Sequence, residues 1–206
     1  MPLIRENGVA SDPWVLLADD AELPADGAII VSLTRWLAER EVLRARKSPL
    51  GIKLKSDQRP ELIAEDIERF DLIALEFPKF TDGRAYSSAR LLRERYGYSG
   101  ELRAVGQVLR DQLQFMHRCG FDAFEIAATD AADKWRQALA EISVWYQSGA
   151  DTRRPASVLR HRVHRRAVQD EKDRSGREPA RAPLAAIQAP SSLAADSSGC
   201  AAYWAY

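Results

Sequence analysis

The sequence predicts an α/β fold with a mainly parallel sheet, and three observations carry that prediction. Three short apolar runs, at 72–77, 101–105 and 123–127, alternate with two strongly helical segments, the pattern of right-handed β-α-β units. Residues 72–75 (LIAL) are continuously apolar, as an inner parallel strand covered on both faces requires. Between the runs, apolar residues recur at helical spacing: Ala85, Ala89, Leu92 and Tyr96, then Val108, Leu109, Leu113 and Met116. Roughly five mainly parallel strands with alternating helices are expected, arranged as an open three-layer sandwich. A partial β/α barrel is the alternative, because one sequence does not reveal strand order.

Taken in order, residues up to about 24 read as a short lead-in, with 14–17 (WVLL) apolar enough for a strand or an edge hairpin. Residues 27–32 (GAIIVS) read as a buried strand. Thr34 is placed to cap the following helix, where Leu33, Trp36, Leu37 and Leu43 fall near helical spacing. Pro49 ends that helix. Residues 51–55 (GIKLK) alternate as a strand with one wet face. Pro60 suits a first helical position, with Leu62, Ile63, Ile67 and Phe70 as the buried stripe. On the helix near Ala85, Arg90 and Glu94 sit four apart as a weak surface pair, and Gly97 and Gly100 stop the helix and turn the chain. Gly120 closes the next helix. Asp130 caps a last one through Trp135, Leu139 and Ile142, and residues 143–147 extend it or form a final strand, the strand being preferred. Residues 153–166 are basic without an apolar face. From about Val168 the chain is rich in charge, Pro, Ala and Ser, a composition that does not offset its ordering entropy. One α/β domain over 1–166 and a disordered tail over 167–206 are expected.

A chain of 206 residues, 46% hydrophobic and 29% charged, is large enough for a real core and ordinary for a soluble protein. Net charge is zero, yet from Asp151 onward ten basic side chains face six acidic ones, which leaves the body acidic. An acidic body is a poor general nucleic-acid binder. Two cysteines, Cys119 and Cys200, exclude a disulfide framework and any Cys-rich zinc or iron–sulfur site within this chain. With no apolar signal core and no run approaching a membrane span, no membrane role and a cytoplasmic location are expected.

In open α/β sheets ligands sit outside the carboxyl ends of the strands, so the two turns there are the candidates. The loop Lys79, Phe80, Thr81, Asp82, Gly83, Arg84 joins a strand end to a helix start, where backbone N–H groups favour an anion. Lys79 and Arg84 add cations, Thr81 or Asp82 can cap, and Gly83 admits a close ligand. An ordinary capped turn is the equal alternative. Tyr86 and Ser87 follow in the first helical turn, Tyr86 serving either the cleft or packing. Arg103 lies within an otherwise apolar strand and should seek a cleft, a partner or a carboxylate. Gly106, Arg110 and Asp111 complete that second cluster, with Asp111 or Glu76 as orienting carboxylates and structural ion pairing as the competing role. Lys79, Arg84 and Arg103 are expected to converge on one anion. Cys119 reads as buried and inert beside an exposed His117. His161 and His164 lack companions at metal spacing, so no metal is expected. The chain also carries no Gly-rich nucleotide fingerprint or flavin signature, and no cofactor of its own is expected.

The runs 75–87 (LEFPKFTDGRAYS), 100–106 (GELRAVG), 109–113 (LRDQL) and 116–124 (MHRCGFDAF) resemble a bacterial family of unknown function encoded beside the sulfite reductase haemoprotein. The likeness runs from about Leu3 to Arg166, and its members carry the label of an oxidoreductase in sulfite reduction. The resemblance implies a component of assimilatory sulfite reduction with sulfite reductase as partner. It leaves two roles open: an oxidoreductase or redox accessory, or a non-catalytic anion- or phosphate-binding module docked on the reductase.

Overall fold

Strand order decides where the helices go. The computed structural model describes residues 2–5, 8–126, 131–142, 144–151, 155, 156 and 158, all within the compact unit Met1–His164. Its strands are β1 (Leu3–Arg5), β2 (Gly8–Ala10), β3 (Val15–Leu16), β4 (Ile29–Ser32), β5 (Leu50–Leu54), β6 (Leu72–Phe77), β7 (Glu101–Gly106) and β8 (Ala123–Glu125). Its helices are α1 (Leu33–Ala38), α2 (Arg40–Ala45), α3 (Arg84–Glu94), α4 (Leu113–Arg118) and α5 (Ala131–Glu141), with 3₁₀ segments at Pro60–Arg69 and Arg110–Gln112. One sheet runs β2-β1-β8-β7-β6-β5-β4-β3. It is parallel from β3 to β8, and β1 is antiparallel to both β8 and β2.

With β3 to β8 side by side in chain order, every right-handed crossover falls on the same face. The packing agrees. One continuous core joins helix residues Trp36, Leu43, Ile63, Ala89, Leu92, Met116 and Trp135 to every second strand residue, including Ile52, Ile73, Leu75, Leu102 and Phe124. The alternate residues Ile30, Leu72, Ala74 and Val105 form a separate cluster, against which Trp14 packs. Among the described residues no helix contributes to it. The α/β class stands, but a three-layer sandwich needs a reversal of strand order and the described strands have none: among the described residues the sheet carries helices on one face only.

The connection from β2 to β3 forces the sheet to curl. Flat, eight strands at about 4.8 Å spacing would hold these two edges roughly 34 Å apart. Five peptide steps from Ala10 to Val15 reach at most about 18 Å. Residues 11–14 therefore strap the two edges together across the helix-free face, seating Trp14 on its apolar cluster and Asp12 on Arg103.

Local chemistry explains the departures from the expected elements. The lead-in supplies β1 and β2, each three residues long, too short for a periodicity to show. The first helix breaks at Glu39, which leaves the helical region at φ −114, ψ 25. The segment after Pro60 is 3₁₀, and a repeat of three buries Pro60, Ile63 and Asp66 while Leu62 turns outward. Asp66 is buried on the guanidinium groups of Arg40 and Arg44. Leu37 and Leu109, expected inside, are exposed. At the end of α3, Gly97 takes φ +64 and the Tyr98 N–H reaches the Leu92 carbonyl at 3.0 Å, the αL stop expected of a glycine. Residues 144–147 are not a strand; Trp145 instead lies under the Arg118 guanidinium, 4.2 Å from its ring centroid. The expected cap at Asp130, the basic stretch 153–166 apart from residues 155, 156 and 158, and the tail over 167–206 lie outside the described residues.

Candidate functional site

The carboxyl ends of β3 to β7 form a rim, and a cleft on it lies over β3, β4 and β5. Three short stretches build it. After β3 the chain leaves through Leu17, Ala18 and Asp19. Ser32 ends β4 and caps α1, its Oγ accepting the Arg35 N–H at 3.1 Å, while its hydroxyl donates to Asp19 Oδ1 at 2.5 Å. On β5, Lys53 lies on the helix-free side and Lys55 follows it by two residues, so both reach the same wet face. The Lys55 N–H donates to Gln58 Oε1 at 2.8 Å and the Gln58 N–H returns to the Lys55 carbonyl at 3.0 Å, closing a tight turn. These walls enclose a cleft of about 340 Å³, with Leu16, Leu17 and Ala18 on its apolar side and Lys53, Lys55 and Gln58 opposite.

The two lysines differ in what holds them. Lys53 Nζ donates to Glu76 Oε1 on β6 at 2.8 Å, both side chains being half-buried. The Lys55 ammonium has no ion pair among the described residues. The arrangement can hold an anion on Lys55 with help from Lys53.

Further round the rim, in the loop after β6, Arg84 and Asp82 spend their charges on each other. Arg84 Nη2 donates to Asp82 Oδ2 at 2.7 Å, its Nε and backbone N–H both donate to Asp82 Oδ1, and Nη2 also reaches Ser56 Oγ. The Arg84 hydrogen bond, aided by the Ser56 hydroxyl, holds the Asp82 carboxyl well below its ordinary value. The loop is thus stapled to the turn after β5. Gln107 Oε1 accepts the Phe80 N–H, and Gln112 Nε2 donates to the Phe80 carbonyl at 2.8 Å. Gly106 takes φ +97, and a Cβ there would meet the Phe77 carbonyl oxygen at 2.5 Å, so this turn requires glycine.

Arg103 leaves the rim altogether. It pairs with Ala74 three residues below the Phe77–Gly106 end of the β6–β7 ladder, about 10 Å along the strand, and its side chain is 1% exposed. It donates to Asp12 through Nη1 at 2.7 Å and Nη2 at 3.1 Å, and to Glu101 through Nε at 3.0 Å. Glu125 lies 3.5 Å away, and Arg5 holds the other oxygen of Glu101 at 2.7 Å. Burial raises the Asp12 pKa, but the hydrogen bonds from Arg103 and the Trp14 N–H, with the charges of Arg103 and Arg5, outweigh it and set it below the ordinary value.

The expected convergence of Lys79, Arg84 and Arg103 is therefore not present: Arg103 is closed in by three carboxylates on the helix-free face and Arg84 by Asp82. Asp111 and Glu76 do not orient Arg103. Lys79, Thr81, Ser87 and Asp111 are exposed, and Arg110 pairs with Glu141 at 2.6 Å. Tyr86 packs edge-on against Phe77 and Phe115, and burial pushes its hydroxyl up to about 12. Cys119 is 3% exposed and burial pushes its thiol up to about 11; His117 meets the edge of Trp135. No group of three or more metal-capable side chains occurs among the described residues, and no helix among them is long and apolar enough to cross a membrane. Sequence reasoning missed Asp19, Ser32, Lys53, Lys55 and Gln58. The alternation of GIKLK did put both lysines on a wet face at a strand end, which is the signal that pointed to them.

Fold and rim together define an α/β protein with a polar cleft at the carboxyl ends of a parallel sheet. The family model described as "Bacterial protein of unknown function (DUF934)" matches residues 51–157, from β5 through α5, and the chain belongs to that family. No curated protein and no solved structure matches the chain.

Proposed function

We propose that the protein is a cytoplasmic accessory component of assimilatory sulfite reduction that works with sulfite reductase and binds a small anion or phosphate-bearing group in the cleft over β3 to β5. The pathway and the partner come from the resemblance carried by the stretches around 75–87, 100–106 and 116–124. The observation that carries the binding role is Lys55, an ammonium without an ion pair among the described residues, beside Lys53 in a cleft of about 340 Å³ at strand carboxyl ends. Asp19 and Glu76 also face this region, but each already has a partner, Ser32 and Lys53. This reading gives the chain no redox cofactor of its own, in keeping with the lack of a nucleotide fingerprint in the sequence.

The test is titration of the full chain with sulfite, sulfate and phosphate, beside a pull-down of sulfite reductase and growth on sulfate. Lys55→Ala should weaken anion binding about tenfold, equivalent to about 1.4 kcal/mol, and Lys53→Ala with Lys55→Ala should abolish it and slow growth. High salt should weaken the same contact. Full growth and unchanged binding in the folded double variant would remove the cleft from the function. Visible flavin or haem absorption in the purified protein would replace this reading with that of an oxidoreductase.

A further inference from the structure

We infer that the ligand of the cleft over β3 to β5 is an organic ester of phosphate or sulfate, with an apolar body and at least one hydroxyl, and not a bare inorganic ion. This rests on the anion-binding reading above and narrows its ligand.

Size is the first argument. A cleft of about 340 Å³ falls at the lower end of the roughly 300–1,000 Å³ that small organic ligands occupy. An inorganic oxyanion fills only a few water volumes of about 30 Å³ each and would leave most of the space to solvent.

The lining is the second. Leu16 stands 59% exposed on an edge strand, and with Leu17 and Ala18 it makes one wall apolar. That wall offers nothing to a bare ion, whereas covering it with a ring or chain removes apolar surface from water. Opposite it, Lys55 supplies a cation without an ion pair among the described residues, and the Lys53 ammonium donates to Glu76 and has two further protons to give.

Asp19 is the third argument, because its carboxylate repels an unadorned anion. Its Oδ1 accepts from Ser32 at 2.5 Å, and among the described residues Oδ2 accepts nothing. A ligand hydroxyl turns that oxygen from a repulsion into a hydrogen bond, with Thr34 and Gln58 on the same cleft. Cation, hydroxyl acceptor and apolar wall in one cleft fit a molecule with three kinds of group.

The experiment is calorimetric titration of the full chain with inorganic phosphate and sulfate, AMP, adenosine and adenosine 5′-sulfate, the last three sharing one hydroxyl-bearing body. AMP or the sulfate ester should bind at least about tenfold tighter than its inorganic ion, and which of the two leads identifies the head group. Adenosine should bind more weakly than AMP. Leu16→Ser, at a solvent-facing position, should remove most of the ester's advantage while leaving the inorganic affinity unchanged; Lys55→Ala should weaken both. Inorganic ions binding as tightly as the esters, or an ester advantage untouched by Leu16→Ser, would overturn the inference and leave anion binding in place. No binding of any probe, sulfite included, would overturn the anion reading and the inference with it.

Discussion

The two faces of the sheet are held by different physics. On the covered face, alternate strand residues meet six helical or 3₁₀ segments in one apolar core, and burial of carbon surface does the work. On the helix-free face, four apolar residues and Trp14 share the surface with Lys53–Glu76, Arg5–Glu101 and the set of carboxylates around Arg103. Among the described residues no second helical layer buries that face; a four-residue strap covers part of it and charges pair across the rest. The difference teaches where function can sit. An apolar core tolerates no open cation, while the paired face can end, at its rim, in a lysine such as Lys55 that has no ion pair among the described residues.

The sharpest way to break this comparison is to delete the charge at its centre. Arg103→Ala should cost about 3 kcal/mol, because it empties a buried site and leaves partly buried carboxylates without their cation. The sign with pH is diagnostic. In the variant the orphaned carboxylates gain from protonation, so its deficit against wild type should narrow as pH falls toward about 4. Urea titrations at pH 7 and pH 5 check this, and a deficit of under 1 kcal/mol would show that the strap and not the arginine holds the face.

Ile73→Val, on the covered face one residue from Ala74, should cost about 1 kcal/mol with no pH dependence. A pH-dependent deficit there would mean that the two faces are not independent. Asp12 gives a smaller effect of known sign. Its folded pKa lies below the unfolded value near 3.8, so its contribution is fully present above that value and is lost as pH falls through the folded one. Asp12→Asn should therefore destabilise at pH 7 and converge with wild type in acid, as thermal melts across that range would report.

The smallest effect is chemical. With the Cys119 thiol pushed up to about 11 and buried, its folded-state stability is present below the unfolded thiol pKa and is lost as pH rises from there toward 11. In a Cys200→Ser background, alkylation of Cys119 at pH 8 should be more than about tenfold slower in the folded protein than in urea. Equal rates would show that the helix carrying it opens readily.

What the sequence determined by itself is the part written in local periodicity. The strands at 72–77 and 101–106, the buried faces of Ala85, Ala89 and Leu92, the αL stop at Gly97 and the pair Arg90–Glu94 all follow from neighbours within a few residues. So does the wet face carrying Lys53 and Lys55, although their role was not read from it. The tertiary structure alone decided strand order, the three-residue strands β1 and β2, and the partner of each charge. Arg103 and Asp12 lie 91 residues apart, and nothing near either one specifies the other. Arg84 looked as free as Lys55 until the fold gave it Asp82 and Ser56 in a fixed geometry. Periodicity records which face of an element is dry. Which charges are neutralised, and by which partners, depends on distances that exist only once the sheet has curled.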